Sequence, residues 1–150
     1  MSDLRDLYQE VVIDHGRRPR NFHALDPHSH YADGFNPLCG DKMTLYLQIN
    51  DDNVIEDVSF TGSGCAISMA SASLLTEQLK GKTVAEGQAL FDAFHAMLTD
   101  DDALPDMEQL DKLAVLEGVR EYPTRVKCAT LAGHTLRAAL NREDQPVSTE

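Results

Sequence analysis

The chain has 150 residues and a net charge of −12, from 13 basic and 25 acidic side chains. This charge argues against a nucleic-acid partner, because phosphate groups are bound chiefly by Lys and Arg. No apolar run is long enough to span a bilayer, so we expect no membrane partner. The N-terminal residues do not have the pattern of a signal peptide. Three cysteines in a chain of this size are typical of a reducing compartment, where thiols stay free or bind metal. The predicted location is therefore the cytoplasm.

The first predicted element is a helix over residues 3–16. Its apolar residues recur at spacings of three and four and form one face: Leu4, Leu7, Tyr8, Val11 and Val12. Gly16 ends the helix, and Pro19 follows shortly after it. Residues 21–38 are rich in His, Pro, Asn and Gly, which predicts an irregular loop.

Two segments with alternating apolar residues come next. Residues 43–50 place four apolar side chains on one side: Met43, Leu45, Leu47 and Ile49. Residues 54–60 alternate in a similar way, and the polar residues 51–53 between the two segments supply a turn. The pattern predicts an antiparallel hairpin with one buried face.

The rest of the chain predicts helices. They cover residues 65–80, 83–98, 107–116 and about 124–140, with an acidic link over residues 99–105. Thr83 and Glu86 form a capping box at the start of the second of these helices. The predicted fold class is α+β, a small antiparallel sheet packed against several helices. We expect residues 1–141 to form a single domain and residues 142–150 to be a mobile tail.

Three cysteines have neighbours that favour a thiolate, which is the nucleophilic and metal-binding form of the side chain. Cys39 precedes Gly40 and Asp41 in the turn before the hairpin. Cys65 follows a glycine-rich turn and begins a helix. Cys128 lies in the first turns of the last helix, where the helix dipole favours an anion. An alternative for each cysteine taken alone is a small hydrophobic residue of the core. Because the number of cysteines is odd, they cannot all pair in disulfides within the chain.

If folding brings these cysteines together, three thiolates and the Asp41 carboxylate make a four-coordinate site. Zinc accepts such ligands in tetrahedral geometry, and soft thiolates also select iron–sulfur clusters. An alternative role for Asp41 is to brace its turn through an Asx hydrogen bond. The six histidines are alternative ligands, among which His28 and His30 form the most suggestive pair.

At three motifs the chain resembles the U-type scaffold family of iron–sulfur cluster assembly, which comprises the IscU-like, SufU-like and NifU N-terminal-like proteins. The motifs cover residues 36–41, 62–68 and 125–131. Lys127 stands where ISC-type members have a His, and the stretch between Cys65 and Cys128 has room for an extra helical segment. Both features are similar to the SUF-type branch of the family.

The resemblance implies an IscU/SufU-like α+β fold and a zinc ion held by Cys39, Asp41, Cys65 and Cys128. It also implies that Cys39 accepts sulfur from a SufS-type cysteine desulfurase. The protein would be a sulfurtransferase-like carrier that supplies a downstream SUF scaffold or apo iron–sulfur proteins.

Two basic residues beside Cys128, Arg125 and Lys127, are candidates to stabilise the charge of the thiolate or persulfide; the alternative is that both are solvated surface residues. The alternative function within the same family is a scaffold. In that case a transient [2Fe–2S] cluster is assembled on the same ligands and passed to apo-proteins.

Overall fold

The computed structural model describes residues 2–100, 102, 106–141 and 147–148. The elements follow in the order α1 (Ser2–Arg17), β1 (His30–Asn36), β2 (Asp41–Ile49), β3 (Ile55–Ser63), α2 (Ala66–Leu79), α3 (Val84–Thr99), α4 (Met107–Leu110), a 3₁₀-helix (Asp111–Glu121), α5 (Pro123–Leu140) and β4 (Val147–Ser148). This order confirms the predicted α+β class. Within the described ranges, no helix combines the length and the hydropathy needed to cross a membrane.

Three antiparallel strands form most of the sheet, which has the order β3-β2-β1-β4. The predicted hairpin is β2–β3, in which Leu45 lies opposite Phe60. Both side chains are completely buried, so the hairpin has the buried face that its alternation predicted. The short strand β4 adds two residues parallel to β1, with Val147 opposite Gly34.

The prediction of an irregular loop over residues 21–38 was wrong for its last part, which forms strand β1. This strand pairs with β2 along its whole length. The apolar pattern gave no sign of a strand, because Tyr31 and Phe35 face outward while small or polar side chains face the core. Gly34 fits this inward face because a Cβ atom there would lie 2.1 Å from Thr135 Oγ1 on α5.

Helices α5 and α2 pack on the sheet, and α2 also contacts α1 and α5. The small residues of α2 allow this close packing: Ser71 donates a hydrogen bond to the backbone carbonyl of Ala129 on α5. Phe60 from the sheet and Phe91 and Phe94 from α3 are among the largest completely buried side chains. The core therefore lies between the sheet and the helical layer.

Four of the predicted helices agree with the structure to within one residue at each end. The capping box of Thr83 and Glu86 is present at the start of α3. The predicted helix over residues 107–116 was only partly correct, because 3₁₀ geometry begins at Asp111 and continues to Glu121. Three completely or almost completely buried leucines mark this segment: Leu110, Leu113 and Leu116. Their spacing of three matches the three residues per turn of a 3₁₀-helix.

Two other predictions fall largely outside the described residues. The predicted tail over residues 142–150 is described only at residues 147–148, which form β4. The acidic link predicted over residues 99–105 is described only at residues 99, 100 and 102.

Candidate metal centre

The turn between β1 and β2 carries Cys39. The strand register sets Asn36 opposite Asp41, so residues 37–40 reverse the chain direction. Gly40 has a φ of 71°, a left-handed value that favours glycine, and its N–H donates to the carbonyl of Asn36 at 2.9 Å. The side chain of Cys39 is exposed in this turn.

Cys65 lies at the start of α2, as predicted. Gly62, the second-last residue of β3, has a φ of 145°, and a Cβ atom there would lie 2.1 Å from the carbonyl oxygen of Lys42. Cys65 is the N-cap residue of α2, and its sulfur accepts a hydrogen bond of 3.4 Å from the backbone N–H of Ser68. The sulfur thus satisfies one of the N–H groups that a helix start leaves without a partner.

Cys128 lies on α5 and is completely buried. Burial raises the pKa of its thiol well above the usual range, and hydrogen bonds to Cys39 and Asp41 raise it further. The prediction that the helix start favours the thiolate is therefore wrong for Cys128 taken by itself, because desolvation outweighs the helix dipole. A bound cation is the kind of group that reverses this balance.

Folding brings three of the predicted ligands together. One potential ligand atom from each of Cys39, Asp41 and Cys128 lies within 4.8 Å of the other two. The thiol of Cys128 donates a hydrogen bond to the sulfur of Cys39 across 3.3 Å. Cys65 reaches this cluster through its backbone N–H, which donates to Asp41 Oδ1 at 2.9 Å, while its sulfur remains on the N–H of Ser68.

The carboxylate of Asp41 is buried without a basic partner. Its side chain is 0% exposed, and in the part of the chain that the structure describes no Lys, Arg or His forms an ion pair with it. Oδ1 accepts the N–H of Cys65, and Oδ2 accepts a side-chain N–H of Asn36 at 3.2 Å. Neutral donors offset only part of the free energy needed to bury an ionised carboxylate. A cation at this position would balance the remaining charge.

Asn36 is a site residue that its sequence context did not indicate. Its side chain is completely buried, and Nδ2 lies 3.2 Å from Asp41 Oδ2 and 3.3 Å from Cys128 Sγ. In the sequence Asn36 precedes Pro37 in a segment rich in turn residues, where Asn is common for local reasons. Only the tertiary structure distinguishes this buried amide from an ordinary turn residue.

Of the two basic residues near Cys128, Arg125 lies at the cluster. Its Nη1 is 3.9 Å from the sulfur of Cys39. The pKa of Arg125 is raised by a hydrogen bond to Cys128 and by the charges of the three nearby cysteines. Lys127 is half-buried, and among the described residues its side chain has no hydrogen-bond or ion-pair partner.

The histidines considered as alternative ligands do not join the cluster. Among the described residues, the group that could hold a metal ion contains two cysteines and one aspartate and no histidine. The ring of His28 contacts Tyr31 and Tyr46 in edge-to-face geometry. His30 Nδ1 lies 2.8 Å from the hydroxyl of Ser29.

The donor set fits zinc. In tetrahedral geometry with a Zn–S distance of about 2.3 Å, two thiolate ligands lie about 3.8 Å apart. The ligand atoms of Cys39, Asp41 and Cys128 lie within 4.8 Å of one another, and the two sulfurs are 3.3 Å apart, so small side-chain adjustments bring them to this spacing. A divalent ion stabilises anionic ligands, and the cluster offers three: the carboxylate of Asp41, which has no basic partner, and the thiols of Cys39 and Cys128. Cys65 is the fourth candidate ligand, because its backbone already contacts Asp41.

The sheet, the helical layer and the Cys–Asp–Cys cluster together define an α+β protein with a candidate metal site. The family model of the NifU-like N terminal domain matches residues 7–142. The chain therefore belongs to this family, which confirms the resemblance seen in the three sequence motifs.

Several relatives and solved structures are similar over nearly the whole chain. The zinc-dependent sulfurtransferase SufU of Bacillus subtilis (strain 168) is 36% identical over 143 residues, which are 95% of both chains. The iron-sulfur cluster assembly scaffold protein IscU of Streptococcus pyogenes serotype M1 is 39% identical and covers 95% of this chain and 87% of its own. A crystal structure of a SUF-system assembly protein from Fervidobacterium islandicum AW-1 superposes with a TM-score of 0.82 at 33% identity, covering 91% of this chain and 98% of that chain.

Proposed function

We propose that the chain is a zinc-dependent sulfur acceptor, which takes persulfide sulfur from a cysteine desulfurase for iron–sulfur cluster assembly. The observation that carries this proposal is the position of the exposed Cys39 thiol, 3.3 Å from the buried thiol of Cys128 and beside the buried Asp41 carboxylate. This arrangement offers one sulfur to a partner protein and keeps the other groups away from solvent.

The proposed ligands of the zinc ion are Cys39, Asp41, Cys65 and Cys128. When bound, zinc keeps coordinating thiols deprotonated near neutral pH and joins segments that are distant in sequence. Asp41 supplies an anionic oxygen from the first residue of β2. Cys128 supplies a sulfur from the interior of α5, where it cannot reach a partner protein.

The reactive step is a thiol–disulfide type of exchange at Cys39. Its thiolate attacks the outer sulfur of the persulfide on the desulfurase, and a new S–S bond forms on Cys39. The S–S bond of the donor breaks, and the donor cysteine leaves as a thiolate that takes a proton from solvent. Arg125, whose guanidinium is 3.9 Å from the Cys39 sulfur, is placed to stabilise the negative charge of the thiolate and then of the persulfide.

Exposure selects Cys39 over the other two thiols as the acceptor. Cys128 is 0% exposed, and Cys65 is half-buried and caps α2. Cys39 lies instead in a four-residue turn that ends at Gly40. Its side chain can therefore turn toward a partner without breaking a helix or a strand.

The proposed sulfur donor is a SufS-type cysteine desulfurase, because such an enzyme presents sulfur as a cysteine persulfide. The recipient would be a downstream SUF scaffold or an apo iron–sulfur protein. The name of the Bacillus subtilis relative favours this assignment. Lys127 agrees with it, because this position holds a His in ISC-type members.

A second candidate function is a scaffold on which a [2Fe–2S] cluster is assembled on the same side chains. The name of the Streptococcus pyogenes relative favours it. Metal content of the isolated protein separates the two functions. A colourless protein with one zinc per chain supports sulfur transfer, and a brown protein with iron and sulfide supports the scaffold.

The deciding experiment measures alanine production by a SufS-type cysteine desulfurase with and without this protein. We expect the zinc-loaded protein to raise turnover and to acquire a persulfide that mass spectrometry locates on Cys39. Turnover that does not change, together with no persulfide on any of the three cysteines, would contradict the proposed function.

A further inference from the structure

One buried amide connects two of the candidate metal ligands. Nδ2 of Asn36 lies 3.2 Å from Oδ2 of Asp41 and 3.3 Å from Sγ of Cys128. An amide nitrogen has two hydrogens, so Asn36 can donate one to each ligand atom. Its side chain is 0% exposed, and hence water does not compete for either bond.

The orientation of this amide matches negatively charged partners. Within the described part of the chain, Oδ1 of Asn36 is buried and has no hydrogen-bond partner. A buried carbonyl oxygen without a donor is unfavourable, so the two N–H bonds on the opposite side must outweigh it. Such bonds are strongest when the acceptors are ionised, as Asp41 and Cys128 are when they bind a cation.

The backbone holds Asn36 in place. It is the last residue of β1 and pairs with Asp41, the first residue of β2. Its carbonyl accepts the N–H of Gly40 at 2.9 Å, so both ends of the turn that carries Cys39 are anchored on Asn36. The side-chain amide therefore cannot follow Cys39 when that residue moves.

The cluster is thus divided into two parts. Asp41 and Cys128 are buried and share the amide of Asn36, and Asp41 also accepts the N–H of Cys65. Cys39 is exposed and has no hydrogen bond to Asn36 among the bonds of the described residues. Asp41 and Cys128 are thus fixed by hydrogen bonds to Asn36, whereas Cys39 can move away from them.

We propose that Asn36 is a positioning residue that holds Asp41 and Cys128 as the fixed half of the metal site. It keeps zinc bound while Cys39 is away from the metal and carries sulfur. This inference rests on the zinc site of the proposed function and extends it to a residue that is not itself a ligand.

The test uses two variants of different chemistry, Asn36→Asp and Asn36→Leu, each made alone and combined with Cys39→Ser. Asn36→Asp keeps the size but removes both N–H donors, and Asn36→Leu removes all polar atoms. The measurements are zinc per chain, the rate of zinc release to a coloured chelator, and the absorption spectrum of the Co²⁺-substituted protein. Circular dichroism shows which variants are folded.

The matched control is Thr76→Val. Thr76 is completely buried on α2, far along the helix from Cys65, and its hydroxyl accepts a hydrogen bond of 3.1 Å from the side chain of Asn21. The change removes this bond and the 2.9 Å bond that the hydroxyl donates to the carbonyl of Ser73, and neither involves a candidate ligand. We expect its zinc release and Co²⁺ spectrum to equal those of the unmodified protein.

We expect zinc affinity about tenfold or more lower in the Asn36 variants, the range seen when groups that orient metal ligands are removed. The Co²⁺ spectrum should change, because the ligand geometry changes. Combined with Cys39→Ser, either Asn36 variant should hold almost no zinc, whereas Cys39→Ser alone keeps most of it. Zinc retention and spectra equal to those of Thr76→Val would overturn the inference.

A measurement on the unmodified protein decides the matter even if both Asn36 variants fail to fold. The side-chain amide signals of Asn36 in a ¹⁵N-labelled sample should shift and exchange more slowly with solvent when zinc is added. Unchanged signals in a protein that binds zinc would contradict the role of Asn36 alone. A protein that binds no zinc at all would instead contradict the proposed function.

Discussion

The backbone N–H of Cys65 donates a 2.9 Å hydrogen bond to Oδ1 of Asp41. This bond links the start of α2 to the start of β2, two elements whose contact residues are 24 positions apart in the chain. It fixes one carboxylate oxygen at a helix N-terminus, where N–H groups and the helix dipole favour an anion. The distance between Cys65 and Asp41, two of the candidate ligands, therefore depends on this contact.

Gly64→Ala should disrupt that contact. A Cβ atom on Gly64 would lie 2.6 Å from Oδ1 of Asp41, so the carboxylate would have to move away from Cys65. We expect zinc affinity to fall by about tenfold or more, as when other groups that orient metal ligands are lost. Titration with a competing chelator measures this. The control is Gly118→Ala, because a Cβ atom there meets nothing within 4 Å; an equal loss in both variants would show that the Asp41 contact is not responsible.

Cys39→Ser should separate metal binding from sulfur transfer. Cys39 is exposed in a turn, whereas Asp41 and Cys128 lie in regular elements and Cys65 caps α2, so we expect most of the zinc to stay bound. A serine hydroxyl cannot form a stable persulfide, so the transfer of sulfur should be abolished. Mass spectrometry after incubation with the desulfurase and cysteine locates the persulfide. Persulfide found mainly on Cys65 or Cys128, with the Cys39 variant still stimulating turnover, would identify a different acceptor.

Cys65→Ala and Cys128→Ala should each lose zinc. Cys128 is completely buried beside Asp41, and its loss removes one of the three clustered donors. Cys65 is not among the three residues whose ligand atoms lie within 4.8 Å of one another, so its variant tests whether the site has a fourth protein ligand. Elemental analysis of the purified variants is sufficient. If Cys65→Ala retains zinc fully, the ligand set contains only the other three residues.

Removal of zinc should lower the thermal stability of the whole chain. The metal would join residues of β2, α2 and α5, and the free energy of binding zinc at such a site is partly free energy of folding. We expect Tm to fall by more than about 10 °C after treatment with a strong chelator, given the usual relation between unfolding free energy and Tm. Scanning calorimetry before and after verified zinc removal measures the change. An unchanged Tm would show that the fold does not depend on the metal.

Stability should fall as pH decreases through the range in which His15 becomes protonated. His15 is buried at the end of α1, its Nδ1 is 2.7 Å from the hydroxyl of Ser73, and burial lowers its pKa. The unfolded chain, with an ordinary pKa of about 6.5, therefore binds the proton more readily than the folded chain. The stabilisation from neutral His15 is complete above about pH 6.5 and is lost progressively below it.

Urea unfolding at about pH 7.5 and about pH 5.5 tests this dependence. Asp14, Arg20, Glu77 and Lys112 also act on His15, and they remain unchanged in the variant His15→Gln. We expect His15→Gln to reduce the difference in unfolding free energy between the two pH values. His134→Gln serves as the comparison variant: it removes another histidine whose pKa is lowered by burial, so the contributions of the two residues to the pH dependence can be measured separately. An undiminished pH difference in His15→Gln would assign the effect to other groups.

Several features could be predicted from the sequence alone because they depend on interactions between residues close together in the chain. The Thr83 and Glu86 capping box begins α3 because it satisfies backbone N–H groups within a single helical turn. Cys65 begins α2 because a glycine-rich turn precedes a long helical pattern. Similarly, the alternation in β2 and β3 reflects one buried face, and the predicted hairpin is present.

The strand β1 was not predicted for a reason that lies in packing. An apolar pattern identifies a strand only when large apolar residues face the core, and β1 instead buries Ala32, Gly34 and Asn36. The inward face of β1 is small because α5 packs directly on it, with Thr135 beside Gly34. Packing against α5 therefore determines which residues β1 can have on its inward face, and α5 is about 100 positions away in the chain.

For the candidate site, the sequence determined which side chains are able to bind a metal: three cysteines and an aspartate in turns and at helix starts. The tertiary structure alone decided how they differ. It exposes Cys39, buries Cys128 and raises the pKa of the Cys128 thiol, and it places the amide of Asn36 between Asp41 and Cys128. The physical reason is that thiol and carboxylate chemistry belongs to the residue, whereas solvation, charge balance and distance depend on segments that meet only when the chain is folded.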